Sequence, residues 1–202
     1  MAERPLPKVG WGAIVGAGAA AVKARGIGAM TLEDLAADLG VDTAAVSYWF
    51  ADPGQVLVAV MEIRMNWFLD EARARMSPLP TQSERLREFL ELSAADHDAT
   101  YWIELWRLSS RDEPARRSRQ ALADAYRRTI AGIIRAGQRT GEFGTASPDK
   151  VALILATLTN GLAASATLGD REVSPESMLD ALLDTAERLL SVKLDPRAAL
   201  EP

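Results

Sequence analysis

A helical spacing of apolar residues runs through almost the whole sequence and limits the folds that the chain can adopt. Between residues 114 and 140, the side chains of Leu122, Tyr126, Ile130 and Ile134 recur every four residues and line one face of a helix. No sustained alternation of apolar and polar residues predicts a strand. The chain is therefore predicted to be all-α, with about nine helices. They are predicted over residues 9–25, 32–39, 43–50, 53–76, 82–97, 99–111, 114–140, 148–168 and 175–192.

Residues that stabilise helix ends agree with these boundaries. Thr31 lies three residues before Asp34, which is the spacing of a capping box. Three further starts place a proline at the first helical position after a capping residue: Asp52-Pro53, Ser147-Pro148 and Ser174-Pro175. Three glycines stand where a helix is predicted to stop: Gly26, Gly40 and Gly169.

Composition excludes several kinds of chemistry. The 202 residues include 23 Lys+Arg and 28 Asp+Glu, for a formal charge of −5, with one histidine and no cysteine. Disulfides, thiolate zinc sites and cysteine nucleophiles are therefore excluded, and no metal or cofactor is predicted. Catalysis is not predicted either, because no Gly-x-Ser-x-Gly elbow is present. An all-helical enzyme that uses His97 or Asp96 as an acid–base group is a minor alternative.

The sequence also bears on the compartment. Residues Met1 to Lys8 carry charges and two prolines but no apolar segment of a secretory signal. No window approaches 18 uncharged apolar residues, so no membrane-spanning helix is predicted. We therefore expect a cytoplasmic protein without a membrane partner.

The segment from Thr31 to Phe50 holds the most specific local pattern. Leu35 and Leu39 lie on one apolar helix face, and Gly40 then ends the helix. A second short helix follows after a turn of three to four residues. This is the geometry of a helix-turn-helix, whose second helix can enter the major groove of DNA. A plain corner between two helices of a bundle is the alternative interpretation.

Residues 9–65 combine several short motifs: Ala19-Ala20-Ala21 before Gly26, Thr31, Leu35-Ala36 before Gly40-Val41, Tyr48-Trp49-Phe50, and Val56-Leu57. In this order, they resemble the DNA-binding domain of the tetracycline-repressor (TetR) family of bacterial regulators. In the C-terminal part, Arg139 to Phe143 and Asn160 to Leu162 resemble segments common in the family. The resemblance implies a three-helix DNA-binding domain over residues 1–52 and a helical ligand-binding and dimerisation domain over residues 53–202.

The resemblance also implies which residues contact operator DNA. Base contacts are expected from the second helix of the helix-turn-helix, and phosphate contacts from the N-terminal arm, hydroxyl groups and helix N-termini. The candidate DNA-binding residues are Arg4, Lys8, Thr31, Asp42, Thr43, Ala44, Ser47, Tyr48 and Trp49.

Three positions depart from the family pattern. Ser47 stands where the family usually has tyrosine, Trp49 where it has histidine, and Pro53 where it has lysine. The tyrosine and the lysine contact phosphates in the family. Residues 1–56 carry four cations against six carboxylates, a net charge of −2, so we expect weak non-specific binding. The alternative function is therefore a TetR-like protein that binds a ligand or a partner, with weak or lost DNA binding.

Aromatic residues in the C-terminal part predict a small-molecule site. Trp102 and Trp106 share one helix face, and aromatic side chains commonly line apolar cavities between helices. Plain core packing is the alternative for each of them. Because the candidate wall holds few charges, the effector is expected to be small and apolar or aromatic. The candidate ligand-binding residues are Trp67, Phe68, His97, Tyr101, Trp102, Leu105, Trp106, Tyr126 and Asn160.

The helix predicted over residues 148–168 is apolar on every side from Val151 to Ala156, so more than one of its faces must be buried. We expect a homodimer in which helices 148–168 and 175–192 form a four-helix interface with their symmetry mates. Taken together, the sequence predicts a ligand-responsive DNA-binding transcriptional regulator, a repressor released from its operator by a small effector.

Two further patterns allow more than one interpretation. The first helical region is rich in glycine, which favours either close packing on the fourth helix or a loosely folded domain that operator DNA orders. These glycines are Gly10, Gly12, Gly16, Gly18, Gly26 and Gly28. Six arginines between residues 111 and 128 alternate with carboxylates, which is typical of a solvated helix face.

Overall fold

The structure, a computed structural model, describes residues 9–194. Its helices are α1 (Trp11–Arg25), α2 (Leu32–Leu39), α3 (Thr43–Ser47), α4 (Pro53–Met76), α5 (Gln82–Ala95), α6 (Thr100–Ser109), α7 (Glu113–Thr140), α8 (Pro148–Thr167) and α9 (Pro175–Leu190). A short 3₁₀ turn, Ile27–Ala29, separates α1 from α2 and was not predicted. The described residues contain no strand, which confirms the all-α prediction.

The predicted capping residues largely act as expected. In the Thr31 capping box, the Asp34 amide donates to Thr31 Oγ1 at 3.0 Å, and the Thr31 amide donates to Asp34 Oδ2 at 3.1 Å. Hydrogen bonds from the side chain and the amide of Thr31 to the Asp34 carboxylate hold the pKa of Asp34 below its usual value. Gly40 ends α2 in the left-handed conformation at φ 64°, which favours glycine. Ser147 precedes α8 without a side-chain capping bond.

Several helices are shorter than predicted. The prediction extended α3 to residue 50, but the helix ends at Ser47 and the chain turns towards α4. There, Asp52 Oδ1 accepts the Gln55 amide at 3.1 Å. The prediction began α6 at residue 99, but the Ala99 amide donates to Thr167 Oγ1 at 2.8 Å, and the helix starts at Thr100.

The chain forms two compact units. The first contains the described residues up to Met65 and the segment Thr100–Gln120, which includes α6 and the start of α7. In this unit α1 packs on α2 and on α6, and α2 packs on α3. Its core includes the fully buried side chains of Ile14, Leu35 and Leu105.

The second unit contains Asn66–Ala99 and the described residues from Ala121 onward. Here α5, α8 and α9 pack on one another around Phe89, Leu155 and Leu182, which are fully buried. The loop after α7 is tied to the start of α5, because Glu142 Oε2 accepts the Ser83 amide at 2.9 Å. Partial burial alone would raise the pKa of Glu142, but hydrogen bonds from residues such as Ser83 and Thr140 hold it below its usual value.

These units group the chain differently from the predicted division at residues 52 and 53. Helix α6 and the beginning of α7 belong to the same compact unit as the helix-turn-helix, although they lie 50 residues or more after it in sequence. The division into a DNA-binding and a ligand-binding domain remains a prediction about function.

Among the described residues, α8 is the only helix long and apolar enough to cross a membrane by length and composition. Its most apolar window has a mean hydropathy of 1.2, and the core helix of a soluble protein can pass the same test. The absence of a membrane-spanning helix remains a prediction.

Candidate DNA-binding and ligand-binding sites

The helix-turn-helix holds one face of α3 outward. Val46 is fully buried in the core of the first unit, and Phe50, about one helical turn later, is also buried. On the opposite side Ala44 and Ser47 are exposed, and they are three residues apart, so they share a helix face. This exposed face is short and has no charge.

The flanking candidates occupy helix ends. Thr31 caps α2, and Asp42 precedes α3 in an extended conformation without a side-chain capping bond. Both residues are exposed, whereas Thr43 and Tyr48 are half-buried. Arg4 and Lys8, the predicted arm contacts, lie outside the described residues.

Trp49 has a structural contact that sequence reasoning missed. Its Nε1–H donates to the Val9 carbonyl at 3.1 Å, which ties the end of α3 to the segment just before α1. The ring also packs edge-on against Tyr48, with centroids 5.1 Å apart. Next to it, Trp11 stacks on Phe50 at 6.2 Å. The indole N–H of Trp49 is therefore already used within the protein, although its ring is partly exposed.

The described cations of the helix-turn-helix segment, residues 9–65, all have intramolecular partners. Arg25 Nη2 lies 3.2 Å from Asp38 Oδ2. Arg64 lies over the ring of Tyr101, 4.8 Å from its centroid. Lys23 also has an interaction within the protein. These contacts add to the shortage of free positive charge that the net charge of residues 1–56 indicates.

Helix α6 runs along the first unit and contacts several parts of it. The Tyr101 hydroxyl donates to the Ala19 carbonyl of α1 at 3.1 Å. A Cβ added to Gly26, at the end of α1, would lie 2.7 Å from Glu104 Oε1. A Cβ added to Gly54, the second residue of α4, would lie 3.0 Å from Leu108 Cδ2. No local sequence pattern predicted this packing.

Four of the ligand-binding candidates lie on α6. Trp102 and Trp106 are half-buried, with ring centroids 6.3 Å apart and planes tilted by 34°. Leu105, which precedes Trp106 in the sequence, is fully buried. Tyr101 is also buried, and its hydroxyl bonds with α1. The shared face predicted for the two tryptophans is therefore present as a pair of neighbouring rings.

A second aromatic cluster lies in the second unit. Phe68, Phe89 and Tyr126 pack with centroid distances of 5.0–5.8 Å. The Tyr126 hydroxyl donates to Ser93 Oγ at 2.7 Å and lies 3.5 Å from Thr159 Oγ1. Burial raises the pKa of Tyr126, and the hydrogen bonds partly offset this effect. Phe89, Ser93 and Thr159 were not among the predicted residues, although each lies on an inward helix face.

The remaining ligand candidates are less enclosed. Asn160 follows Thr159 and is half-buried, as is His97. The His97 ring places Nδ1 3.1 Å from the Ala95 carbonyl, and its own carbonyl accepts a hydrogen bond from Thr167 at 3.3 Å. Trp67 is 80% exposed. The described residues hold no cluster of histidine and carboxylate side chains suited to a metal ion.

Comparison with known proteins gives the class of this protein. The family described as BetI-type transcriptional repressor, C-terminal, matches residues 82–191, which is more than half of the chain. The chain therefore belongs to the TetR-family transcriptional regulators with a BetI-type C-terminal domain. No curated protein matches the sequence.

Solved structures of similar fold agree with this assignment. A TetR-family transcriptional regulator from Rhodococcus sp. is 27% identical, with 88% of this chain and 96% of that chain covered and a TM-score of 0.71. A transcriptional regulator from Saccharomonospora viridis in complex with choline is 24% identical, with coverages of 88% and 95% and a TM-score of 0.79. A SmeT–triclosan complex is 18% identical, with coverages of 86% and 89% and a TM-score of 0.70. The predicted family, fold class and general function as a transcriptional regulator are confirmed.

Proposed function

We propose that this regulator is a cytoplasmic homodimeric repressor that leaves its operator when a small apolar or aromatic effector binds. The observation that carries this proposal is the exposed face of α3, Ala44 and Ser47, held outward by a buried helix-turn-helix core in a TetR-family chain. In a twofold dimer, two such helices would enter successive major grooves about 34–36 Å apart. Thr43 and Tyr48 would complete the contacts with the bases.

The outer face of α8 supports the dimer. Leu153 is 49% exposed and Ile154 is 44% exposed, although both lie in the most apolar part of the chain. Leu158 and Leu162 are half-buried on the same side of the helix. A second copy that packs its own α8 and α9 against this face would remove the apolar surface from water, in the four-helix arrangement common in bundles.

The aromatic side chains of α6 support an apolar or aromatic effector. A flat apolar molecule can stack on the Trp102–Trp106 pair, whose rings are half-buried. Triclosan, an aromatic compound bound in a structure of similar fold, is therefore a suitable first probe. Choline, bound in another, tests the alternative of a quaternary ammonium effector, because aromatic faces also attract such cations.

The packing of α6 supplies a route from effector to DNA. Leu108, two residues after Trp106, lies against Gly54 at the start of α4, close to the helix-turn-helix in sequence. An effector that favours a different position of α6 would therefore shift the start of α4, the helix that follows α3 in the sequence. It can shift the equilibrium only by its difference in affinity for the two states.

Binding of the protein to a duplex from the region upstream of its own gene tests the DNA-binding function. We expect the protein to bind this duplex more tightly than a random duplex of equal length, with the largest excess at low salt. Fluorescence anisotropy over 50–200 mM KCl measures both affinities. If the protein binds neither duplex at the lowest salt, the repressor function is wrong, and the alternative of a ligand-binding protein without DNA binding is supported.

Trp106→Ala is expected to abolish the response to the effector while leaving DNA affinity intact, because the substitution removes one wall of the proposed stacking site. A thermal-shift screen with triclosan and choline finds the effector, and anisotropy then measures its effect on the DNA complex. Ile63→Ala is the matched control, since Ile63 is an apolar side chain that is 40% exposed and lies outside both aromatic clusters and outside the proposed dimer interface. A response retained in Trp106→Ala and lost in Tyr126→Phe would move the site to the second cluster.

A further inference from the structure

The helix-turn-helix segment lacks free cations where a DNA-binding protein needs them. Its described lysine and arginines are engaged within the protein, as shown above for Arg25 and Arg64. The first turn of α4 begins with Pro53 and carries no cation. Because phosphate neutralisation supplies much of the affinity for DNA, another part of the unit would have to add charge to that of Arg4 and Lys8 in the N-terminal arm.

The segment Thr100–Gln120 brings positive charge into the same compact unit. It carries five arginines against three carboxylates, a balance of +2. Two of the carboxylates, Asp112 and Glu113, are engaged at the start of α7. Asp112 Oδ1 accepts the Ala115 amide at 2.6 Å, and Glu113 pairs with Arg116 and Arg117.

Arg111 differs from the other cations of this segment by its position. Its side chain is exposed, and no described residue forms a hydrogen bond or an ion pair with its guanidinium. Its backbone is fixed, because the Arg111 amide donates to the Leu108 carbonyl at 3.0 Å. Leu108 in turn packs against Gly54, the residue that follows Pro53. The turn that carries Arg111 therefore lies near the start of α4, which carries no cation.

From this arrangement, we propose that Arg111 contacts a backbone phosphate of duplex DNA beside the half-site bound by α3, near the start of α4. This inference rests on the proposed DNA-binding function. A guanidinium suits the task, because it stays charged at all physiological pH values and presents paired donors to phosphate oxygens. The contact carries no sequence information, so it contributes equally to operator and to random DNA.

The salt dependence of DNA binding tests the proposal, since each phosphate contact adds about 0.9 to the slope of log K against log salt. A dimer with two Arg111 contacts should lose about 1.8 from this slope in the Arg111→Gln variant. Between 50 and 200 mM KCl, the affinity of the wild-type protein should therefore fall roughly twelvefold more than that of the variant. The same difference is expected on the upstream duplex and on the random duplex, and Arg111→Lys should retain most of the slope.

Arg128→Gln provides the matched control. Arg128 is also an exposed arginine of the α7 region without a described partner, but it belongs to the second unit. Its variant should bind DNA with the wild-type slope. If Arg111→Gln also keeps the wild-type slope while the wild-type protein binds DNA, the role of Arg111 is overturned and the repressor function stands. If the wild-type protein binds no duplex at low salt, the proposed function fails, and the role of Arg111 fails with it.

Discussion

Leu153→Glu is expected to convert the dimer into monomers at micromolar concentration and to abolish tight operator binding. Leu153 is 49% exposed on the outer face of α8, where the proposed partner copy would cover it. By twofold symmetry, one substitution places two carboxylates in the apolar interface. Removing a buried leucine costs about 1.5–3 kcal/mol, and burying a charge costs several kcal/mol more. Because about 1.4 kcal/mol is a factor of ten, the dimer Kd should rise at least about a thousandfold.

Sedimentation velocity across a concentration series measures this change, and anisotropy with the upstream duplex measures its effect on DNA binding. Ala121→Glu is the control, because Ala121 is exposed on α7 and receives the same charge outside the proposed interface. It should remain a dimer. A wild-type protein that sediments as a monomer at micromolar concentration would contradict the interface, and so would a Leu153→Glu variant that sediments as a dimer.

Gly18→Leu is expected to destabilise the first unit by about 3 kcal/mol. Gly18 is buried in the middle of α1, and a Cβ added there would lie only 2.2 Å from Cγ1 of Val56 on α4. Val56 is fully buried, and a β-branched side chain in a helix has essentially one rotamer, so it cannot turn away from the clash. The two helices would have to move apart, which would disturb the support of α3.

Gly16→Ala separates this clash from a general effect of glycine. Gly16 is exposed in the same helix, and an added Cβ would have nothing within 4 Å, so alanine should stabilise the helix by about 1 kcal/mol. Urea unfolding monitored by tryptophan fluorescence gives both values. In addition, Gly18→Ala combined with Val56→Ala should cost less than the sum of the single changes, because the second substitution makes room for the first. Additive changes in the free energy of unfolding would show that the two side chains do not clash.

The surroundings of the glycines in α1 bear on the two interpretations of this region, which are close packing on α4 and a loosely folded domain that DNA orders. Close packing on α4 applies at Gly18 but not at Gly10, Gly12 or Gly16, which have nothing near an added Cβ. Gly16→Ala therefore tests whether DNA orders a loosely folded domain. If this variant binds the operator more tightly, in proportion to its gain in free energy of unfolding, the hypothesis that the domain orders on binding is supported.

Local patterns predicted most of the secondary structure. The bounds of α2 and α4 agree with prediction to the residue, because each starts beside a residue that bonds with its first turn, namely Thr31 and Asp52. The ends of α3, α5 and α6 were placed too far out, since apolar periodicity does not reveal where a helix stops or where a backbone amide finds another partner. The Ala99 amide, which bonds with Thr167 of α8, is one such case.

The candidate sites were predicted less completely, for the same reason. Sequence placed Trp102 and Trp106 on one face of α6, and their rings are neighbours. It could not indicate that Tyr126 bonds with Ser93, because the two residues are 33 positions apart and only the packing of α5 and α7 brings them together.

By itself, the sequence determined an all-helical regulator with a helix-turn-helix, because capping, periodicity and glycine stops act over a few residues. Only the tertiary structure decided which charges and rings remain available for binding. It engages the Trp49 indole with Val9 and places Arg111 near the start of α4 through the contact of Leu108 with Gly54. Contacts between distant segments depend on how helices approach one another, and neither helix alone carries that information.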